Sequence, residues 1–100
     1  MEKFLRVEMS DGSTYDVPLE VIARSRANYF SKQEADQESM NAVYHAELEY
    51  TMNDHEEAID WATNNMNWDD VRNYAVKLEE PKVIDLQNGW VNGQKQIVSK

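Results

Sequence analysis

The sequence contains no cysteine, and its 100 residues include only three glycines and two prolines. Without cysteine there is no disulfide, no thiolate nucleophile and no cysteine metal ligand, a composition that suits a reducing cytoplasm. Three glycines are too few for a glycine-rich phosphate-binding loop, because turns account for all of them. These absences argue against thiol chemistry, disulfide frameworks and phosphate-cradling loops.

Long apolar runs are also missing. No run approaches the roughly 20 residues that a membrane-spanning helix needs. The first eight residues mix charges with apolar side chains, which is unlike a signal peptide. We therefore expect a cytoplasmic protein with no membrane partner. Of the residues, 41% are apolar and 10% aromatic, which is enough for one small folded domain.

Basic residues are scarce where acidic residues are most frequent. Residues 1–33 have five acids and five bases, whereas residues 34–80 have thirteen acids against two bases, a net charge of −11. Residues 81–100 carry +2, which leaves −9 for the chain. Such a field repels phosphate backbones, so we expect no direct nucleic-acid binding. It fits either a solvated face that keeps the domain soluble or a surface that attracts a basic protein partner.

The N-terminal residues show the pattern of a β-hairpin. Residues 4–9 alternate apolar and polar side chains, Asp11-Gly12 is a typical hairpin-turn dipeptide, and residues 14–17 read as the returning strand. Pro18 suits the first turn of a helix. Apolar residues at steps of three and four then predict that this helix continues to residues 31–33.

Further helices are predicted in the acidic middle. Residues 34–39 have no periodic apolar pattern, and we expect an exposed linker there. Residues 40–52 fit a helix and a strand almost equally well, and we favour a helix. Asp54 followed by Glu57 has the spacing of an acidic capping box, which predicts a helix over residues 55–65.

The C-terminal part of the chain gives weaker signals. Asn67 is a suitable cap for a further helix. Residues 76–78 and 82–86 predict short extended pieces, and the polar residues 94–100 are expected to be a partly loose tail. The sequence thus predicts an α+β fold with an N-terminal β-hairpin, three or four helices and short extended C-terminal pieces.

This organisation suggests one small α+β domain over residues 1–80 and a partly loose C-terminal extension over residues 81–100. Catalysis has little support, because no serine lies in a nucleophile-elbow setting and close carboxylate pairs are expected by chance among 19 acids. His45 and His55 are the only histidines. A metal-dependent enzyme built on them and the neighbouring acids remains an alternative, but such pairs are usually solvated surface charge. We expect no catalytic activity, no cofactor and no metal.

The aromatic residues divide into core and surface candidates. Trp61 and Trp68 are expected in the core. Trp90 lies between two Asn-Gly turns and is expected to be presented to a partner. Together with carboxylates of the acidic middle it makes up the predicted partner-binding set: Glu47, Glu49, Asp54, Glu56, Glu57, Asp60, Asp69, Asp70 and Trp90.

Two functions are consistent with this set besides the metal enzyme. One is a non-enzymatic protein that binds a basic protein partner, in one version by nucleic-acid mimicry, with carboxylates of residues 47–70 standing in for phosphates. The other is a structural or accessory protein that self-associates into a homo-oligomer through an apolar patch near Trp90.

Four segments carry a resemblance to a known group: Asp11 to Ala23, Arg26 to Tyr29, Glu49 to Met52 and Ile59 to Val71. Together they resemble short uncharacterised proteins encoded by tailed marine bacteriophages, cyanophages especially, over roughly residues 4–78. The shared motifs are a turn, a proline-started helix and a capped helix pair. The resemblance therefore implies a setting, the cytoplasm of an infected bacterial cell, and no particular activity.

Overall fold

A computed structural model describes residues 2–9, 13–78, 90–91 and 93–99 of the chain. These residues form an α+β fold in which an N-terminal hairpin is followed by helices and then by further strands, as the sequence predicted. The elements in chain order are β1 (Lys3–Glu8), β2 (Thr14–Pro18), α1 (Leu19–Ser31), α2 (Gln37–Asn53), α3 (His55–Asn65), α4 (Trp68–Val71), β3 (Val76–Lys77) and β4 (Gln94–Ser99).

The strands form one antiparallel sheet in the order β3-β2-β1-β4. Leu5 of β1 is opposite Val17 of β2 on one side and Ile97 of β4 on the other. Because side chains alternate along a strand, these residues share one face of the sheet. Leu5, Val7 and Val17 are fully buried on that face and form the core with the helices.

The opposite face of the hairpin carries an ion pair. Arg6 donates two hydrogen bonds to the carboxylate of Asp16, at 2.8 and 3.0 Å, across the β1–β2 pair. The hydrogen bond to Asp16 raises the pKa of the Arg6 guanidinium, which stays charged. Asp16 is fully buried, so its charge depends on such partners.

Strand β4 corrects the prediction of a loose tail. Residues 94–99 pair with the whole of β1 instead of extending into solvent. Exposed Gln94 and Gln96 alternate with partly buried Lys95 and Ile97, a two-residue period that the polar composition obscured. β1 therefore has strand partners on both sides.

Helices α1 and α2 are antiparallel neighbours connected by a short turn. Helix α1 starts directly after Pro18, and its buried residues include Leu19, Ile22 and Ala23. Helix α2 confirms the helical interpretation of residues 40–52, but it begins earlier, at Gln37. The side chain of Asp36 accepts the Ser39 backbone N–H at 2.8 Å, so Asp36 is the N-cap and the expected linker is shorter than predicted.

Helices α3 and α4 begin where their caps predicted. The Asp54 carboxylate accepts the Glu57 backbone N–H at 3.1 Å, and α3 buries Ala58, Trp61 and Ala62. At α4 the Asn67 backbone N–H donates to the Asp70 carboxylate at 2.7 Å. Of the two predicted extended pieces, residues 76–77 form β3, and residues 82–86 lie outside the described part of the chain.

Trp90 contradicts the prediction that it is presented to a partner. Its side chain is 0% exposed, and its indole N–H donates to the carbonyl oxygens of Ala62 (3.1 Å) and Met66 (2.9 Å). The last carbonyls of a helix lack intrahelical donors, so the indole provides a hydrogen bond that the C-terminal end of α3 needs. Trp61 and Trp68 are buried, as predicted.

Candidate functional site

Arg26 is the residue at which three helices meet. It lies on α1, is only 8% exposed, and donates hydrogen bonds to the carboxylates of Glu47 on α2 and Glu57 on α3, the latter at 3.3 Å. It is also 3.4 Å from the hydroxyl oxygen of Thr51, which is fully buried. We call Arg26, Glu47, Thr51 and Glu57 the arginine cluster. A buried guanidinium requires such partners, and here they join α1, α2 and α3.

Aromatic rings complete the surroundings of Arg26. Its guanidinium carbon lies 4.7 Å from the centre of the Phe30 ring and 5.0 Å from that of Tyr50. Cations are attracted to the faces of aromatic rings at these distances. The two rings therefore limit the movement of the guanidinium on the sides where no carboxylate contacts it.

Tyr50 borders an open cleft. Its side chain is 48% exposed, and with Ala46, Glu49, Asn53 and Asp54 it lines a cleft of about 500 Å³ at the end of α2. We call this the tyrosine cleft. Its polar atoms include two carboxylates and one amide, and its apolar surface is the tyrosine ring and a methyl group.

The tyrosine hydroxyl reports the negative field at this place. The charge of Asp54 raises the pKa of the Tyr50 hydroxyl, with further contributions from burial, the hydrogen bond to Asp54 and the charge of Glu57; Arg26 partly opposes them. The negative charges around Tyr50 therefore favour the protonated form of its phenol.

Five predicted partner-binding carboxylates lie on this part of α2 and α3. The arginine cluster holds the C-terminal half of α2 against the first turn of α3. We call residues 46–57, on both sides of Asp54, the α2–α3 junction. Five carboxylates against the single guanidinium of Arg26 leave a net charge of −4. The five are Glu47, Glu49, Asp54, Glu56 and Glu57.

These five carboxylates have different roles. Glu47 and Glu57 neutralise Arg26, and their side chains remain 31% and 32% exposed. Asp54 caps α3. Glu49 and Glu56 are exposed on the surface of their helices. The junction thus combines carboxylates fixed by internal contacts with carboxylates directed to solvent.

The remaining predicted acids lie elsewhere. Asp60 is one turn further along α3, where its carboxylate accepts from the Asn64 amide at 2.8 Å. Asp69 and Asp70 are in α4, the former 3.5 Å from Arg72 and the latter bonded to the Asn67 N–H. The structure therefore does not join all the predicted residues into one site.

Sequence reasoning missed Arg26, although a signal for it was present. Arg26 follows Ile22 by four residues and precedes Phe30 by four, which places it in the buried stripe of α1. An arginine in an otherwise apolar stripe implies acidic partners on the neighbouring helices. Tyr50 was also missed, because nothing in the sequence shows which side of α2 faces α1.

The two histidines bear on the alternative of a metal-dependent enzyme. His45 and His55 are both exposed, and within the described residues no group of three or more His, Asp or Glu side chains is arranged to hold a metal ion. No helix in the described part of the chain is long and apolar enough to cross a membrane. Comparison with known protein families, curated proteins and solved structures found no match.

Proposed function

We propose that the protein is a small non-enzymatic binding protein that engages a basic protein surface through the α2–α3 junction. The observation that supports this proposal is that four carboxylates, those of Glu47, Glu49, Asp54 and Glu57, surround Arg26 and the half-exposed ring of Tyr50. The setting that we propose, from the resemblance, is the cytoplasm of an infected bacterial cell.

The tyrosine cleft suits one lysine or arginine side chain of such a partner. Arg26 lies against Tyr50 and cannot move freely, because Glu47 and Glu57 hold it. An incoming ammonium or guanidinium group would contact the open part of the ring and pair with Glu49 or Asp54. Because internal contacts already fix Asp54 and Tyr50, less side-chain entropy is lost on binding.

Mimicry of nucleic acid is a more specific version of this proposal. In that version the junction carboxylates occupy phosphate-binding positions on a basic duplex-binding protein. Binding of the chain and of duplex DNA to such a protein would then be mutually exclusive. A ternary complex with the duplex still bound would leave basic-surface binding in place and eliminate mimicry.

A lysine- and arginine-rich peptide tests the binding proposal directly. We expect amide resonances of residues 46–57 to shift on titration with this peptide and not with a peptide in which glutamine replaces each basic residue. Affinity should fall steeply between about 50 and about 300 mM salt, since exposed charge pairs are screened. Binding that is indifferent to salt, or shifts confined to α4, would contradict the proposal.

A charge-matched pair of variants locates the surface. Glu49→Gln/Glu56→Gln removes two exposed carboxylates of the junction, and Glu34→Gln/Glu38→Gln removes two exposed carboxylates before and in the first turn of α2. Both variants change the net charge equally. We expect the first to weaken peptide binding roughly tenfold and the second by less than about threefold, because close charge pairs contribute more than the distant field. Equal weakening would show that only net charge matters.

A further inference from the structure

The two edges of the sheet differ in length. β3 is an edge of only two residues, Val76–Lys77, whereas β4 is an edge of six residues. In the part of the chain that the structure describes, β4 pairs with β1 and no strand lies on its other side. A strand of that length presents about three N–H and three C=O groups outward, because successive residues alternate between the two sides.

The residues of β4 itself lack the features that usually protect an edge strand. Such strands commonly carry outward charges, proline or a bulge, or are very short. Lys95 is the one charged residue of β4, and its ammonium group folds back to donate to the carbonyls of Val91 (3.3 Å) and Gly93 (3.2 Å). It also lies 5.7 Å from the centre of the buried Trp90 ring. Lys95 therefore contacts its own chain, and among the described residues no strand covers the outer side of β4.

We propose that β4 pairs antiparallel with β4 of a second copy of this chain, which joins the two sheets into one of eight strands. A two-fold axis at Ile97 places Ile97 opposite its equivalent, Gln96 opposite Val98, and Lys95 opposite Ser99. Ile97 and Val98 are only partly buried, one on each face, so pairing covers apolar surface on both faces. β-Branched residues opposite one another stabilise antiparallel pairs, and this register brings no like charges together.

Charge also favours a second copy at this edge. Two copies with a net charge of −9 repel one another over most of their surface. β1 and β4 are different, because Asp16 neutralises Arg6, and Lys3 and Lys95 against Glu8 then leave +1. Two copies that approach along β4 therefore avoid the acidic helices and meet at a weakly positive pair of strands. The inference does not depend on the proposed function, whose residues lie on α1, α2 and α3.

Two double variants with the same positions changed test the register. Gln96→Glu/Val98→Glu places like charges opposite each other across the axis, and Gln96→Glu/Val98→Lys places opposite charges there. Within one chain, position 96 faces Arg6 and position 98 faces Phe4 in both variants. We expect the two dissociation constants to differ roughly tenfold, since two symmetric cross-strand pairs change sign.

Sedimentation velocity over a range of protein concentrations gives these constants, and circular dichroism verifies that each variant is folded. We expect the natural sequence to dimerise, the Glu/Glu variant to be the weaker and the Glu/Lys variant the stronger of the pair. A natural chain that stays monomeric at every concentration would overturn the proposal. A dimer equally insensitive to both variants would also overturn it, because it would use another surface.

Amide hydrogen exchange tests the same surface without substitutions. In a β4-paired dimer, the amides of residues 94–99 that point away from β1 become protected as protein concentration rises, because they donate to the second copy. Exchange in β3, the short edge, should not change with concentration. Exchange of β4 amides that is the same at low and high concentration would refute the pairing.

Discussion

Helices α2 and α3 are both acidic and are separated in the chain by the single residue Asp54, yet they attach to the domain differently. Helix α3 has 11 residues, of which Ala58, Trp61 and Ala62 are buried. The Trp61 indole N–H donates to the Ser25 hydroxyl on α1 at 3.1 Å. Helix α2 has 17 residues, and Thr51 is its one buried residue. The longer helix has the smaller share of the core.

This difference indicates where stability and charge reside. Apolar burial holds α3, and its contribution depends little on salt. Helix α2 is held by the arginine cluster and by a partly buried stripe that includes Met40, Val43 and Leu48. Segments with few buried apolar contacts open at lower free energy than the core. We therefore expect α2 to open more readily than α3.

Trp90→Ala removes a core contact at the C-terminal end of α3 and should have the largest effect on stability. The fully buried indole donates to the two carbonyls at the end of α3. We expect a loss of about 3–5 kcal/mol of unfolding free energy, from the cavity and the lost hydrogen bonds. Denaturant unfolding measures it. Val91→Ala, at an exposed neighbour, is the control and should cost less than about 0.5 kcal/mol.

A Trp90→Ala loss below about 1 kcal/mol would contradict the position of Trp90 in the core. Such a result would also reopen the prediction that this side chain is available to a partner.

Arg26→Ala removes the ion pair that holds α2 and should have the second-largest effect on stability. Its carboxylate partners are about one-third exposed, so water partly compensates for the lost ion pairs. We expect a loss of about 1–3 kcal/mol, below the value for a fully buried pair. Amide exchange should accelerate in α2 more than in α3, because α3 keeps its apolar contacts.

Arg24→Ala provides the matched control on the same helix. Arg24 pairs with Glu20, and both side chains are more than half exposed. We expect a change within about 0.5 kcal/mol and no change in α2 exchange. If Arg26→Ala accelerated exchange equally in α2 and α3, the two helices would open together. That result would contradict the expectation that α2 opens more readily than α3.

Asp54→Asn separates capping from charge at the junction. Asparagine still caps α3, whereas Asp54→Ala should cost about 1 kcal/mol. In both variants the pKa of Tyr50 should fall toward its usual value, because the charge of Asp54 is the largest cause of its rise. Tyrosinate absorbance measures this, with Tyr50→Phe identifying the Tyr50 component. An unchanged titration in Asp54→Asn would contradict the effect of the Asp54 charge on Tyr50.

The sign of the stability effect follows from the raised pKa. In the folded protein Tyr50 holds its proton more tightly than in the unfolded chain. Its contribution to stability is therefore complete below the unfolded pKa of about 10 and is lost as pH rises through the folded pKa. Asp54→Asn should reduce this loss above about pH 10.

Local signals in the sequence predicted the beginnings of most elements. The alternation of residues 4–9, Pro18, the Asp54 cap and the Asn67 cap each act over a few residues, and each marks an element found in the structure. The arginine cluster and the β4 pairing could not be predicted in this way. They join residues 21 to 31 positions apart in one case and opposite ends of the chain in the other.

Trp90 shows the same limit. Its flanking Asn-Gly dipeptides suggested a presented loop residue, but its environment is set by the distant carbonyls of Ala62 and Met66. Glu47 and Glu57 are a second case. The sequence predicted that both are acidic surface residues, but it could not show that both pair with Arg26. Residue type and spacing indicate charge, whereas long-range contacts decide whether that charge is free for a partner.

Removal of the α2 cap should have the smallest effect and is the finest test of the comparison between α2 and α3. The exposed carboxylate of Asp36 accepts the Ser39 N–H at 2.8 Å, as Asp54 does for Glu57 at 3.1 Å. If the first turns of α2 open separately, Asp36→Ala should cost less than about 0.5 kcal/mol globally, against about 1 kcal/mol for Asp54→Ala. Amide exchange should nevertheless accelerate in residues 37–43, and Asp36→Asn should restore it because asparagine also caps a helix. Equal global costs of the two alanine variants would show that α2 unfolds with the core despite its small buried surface.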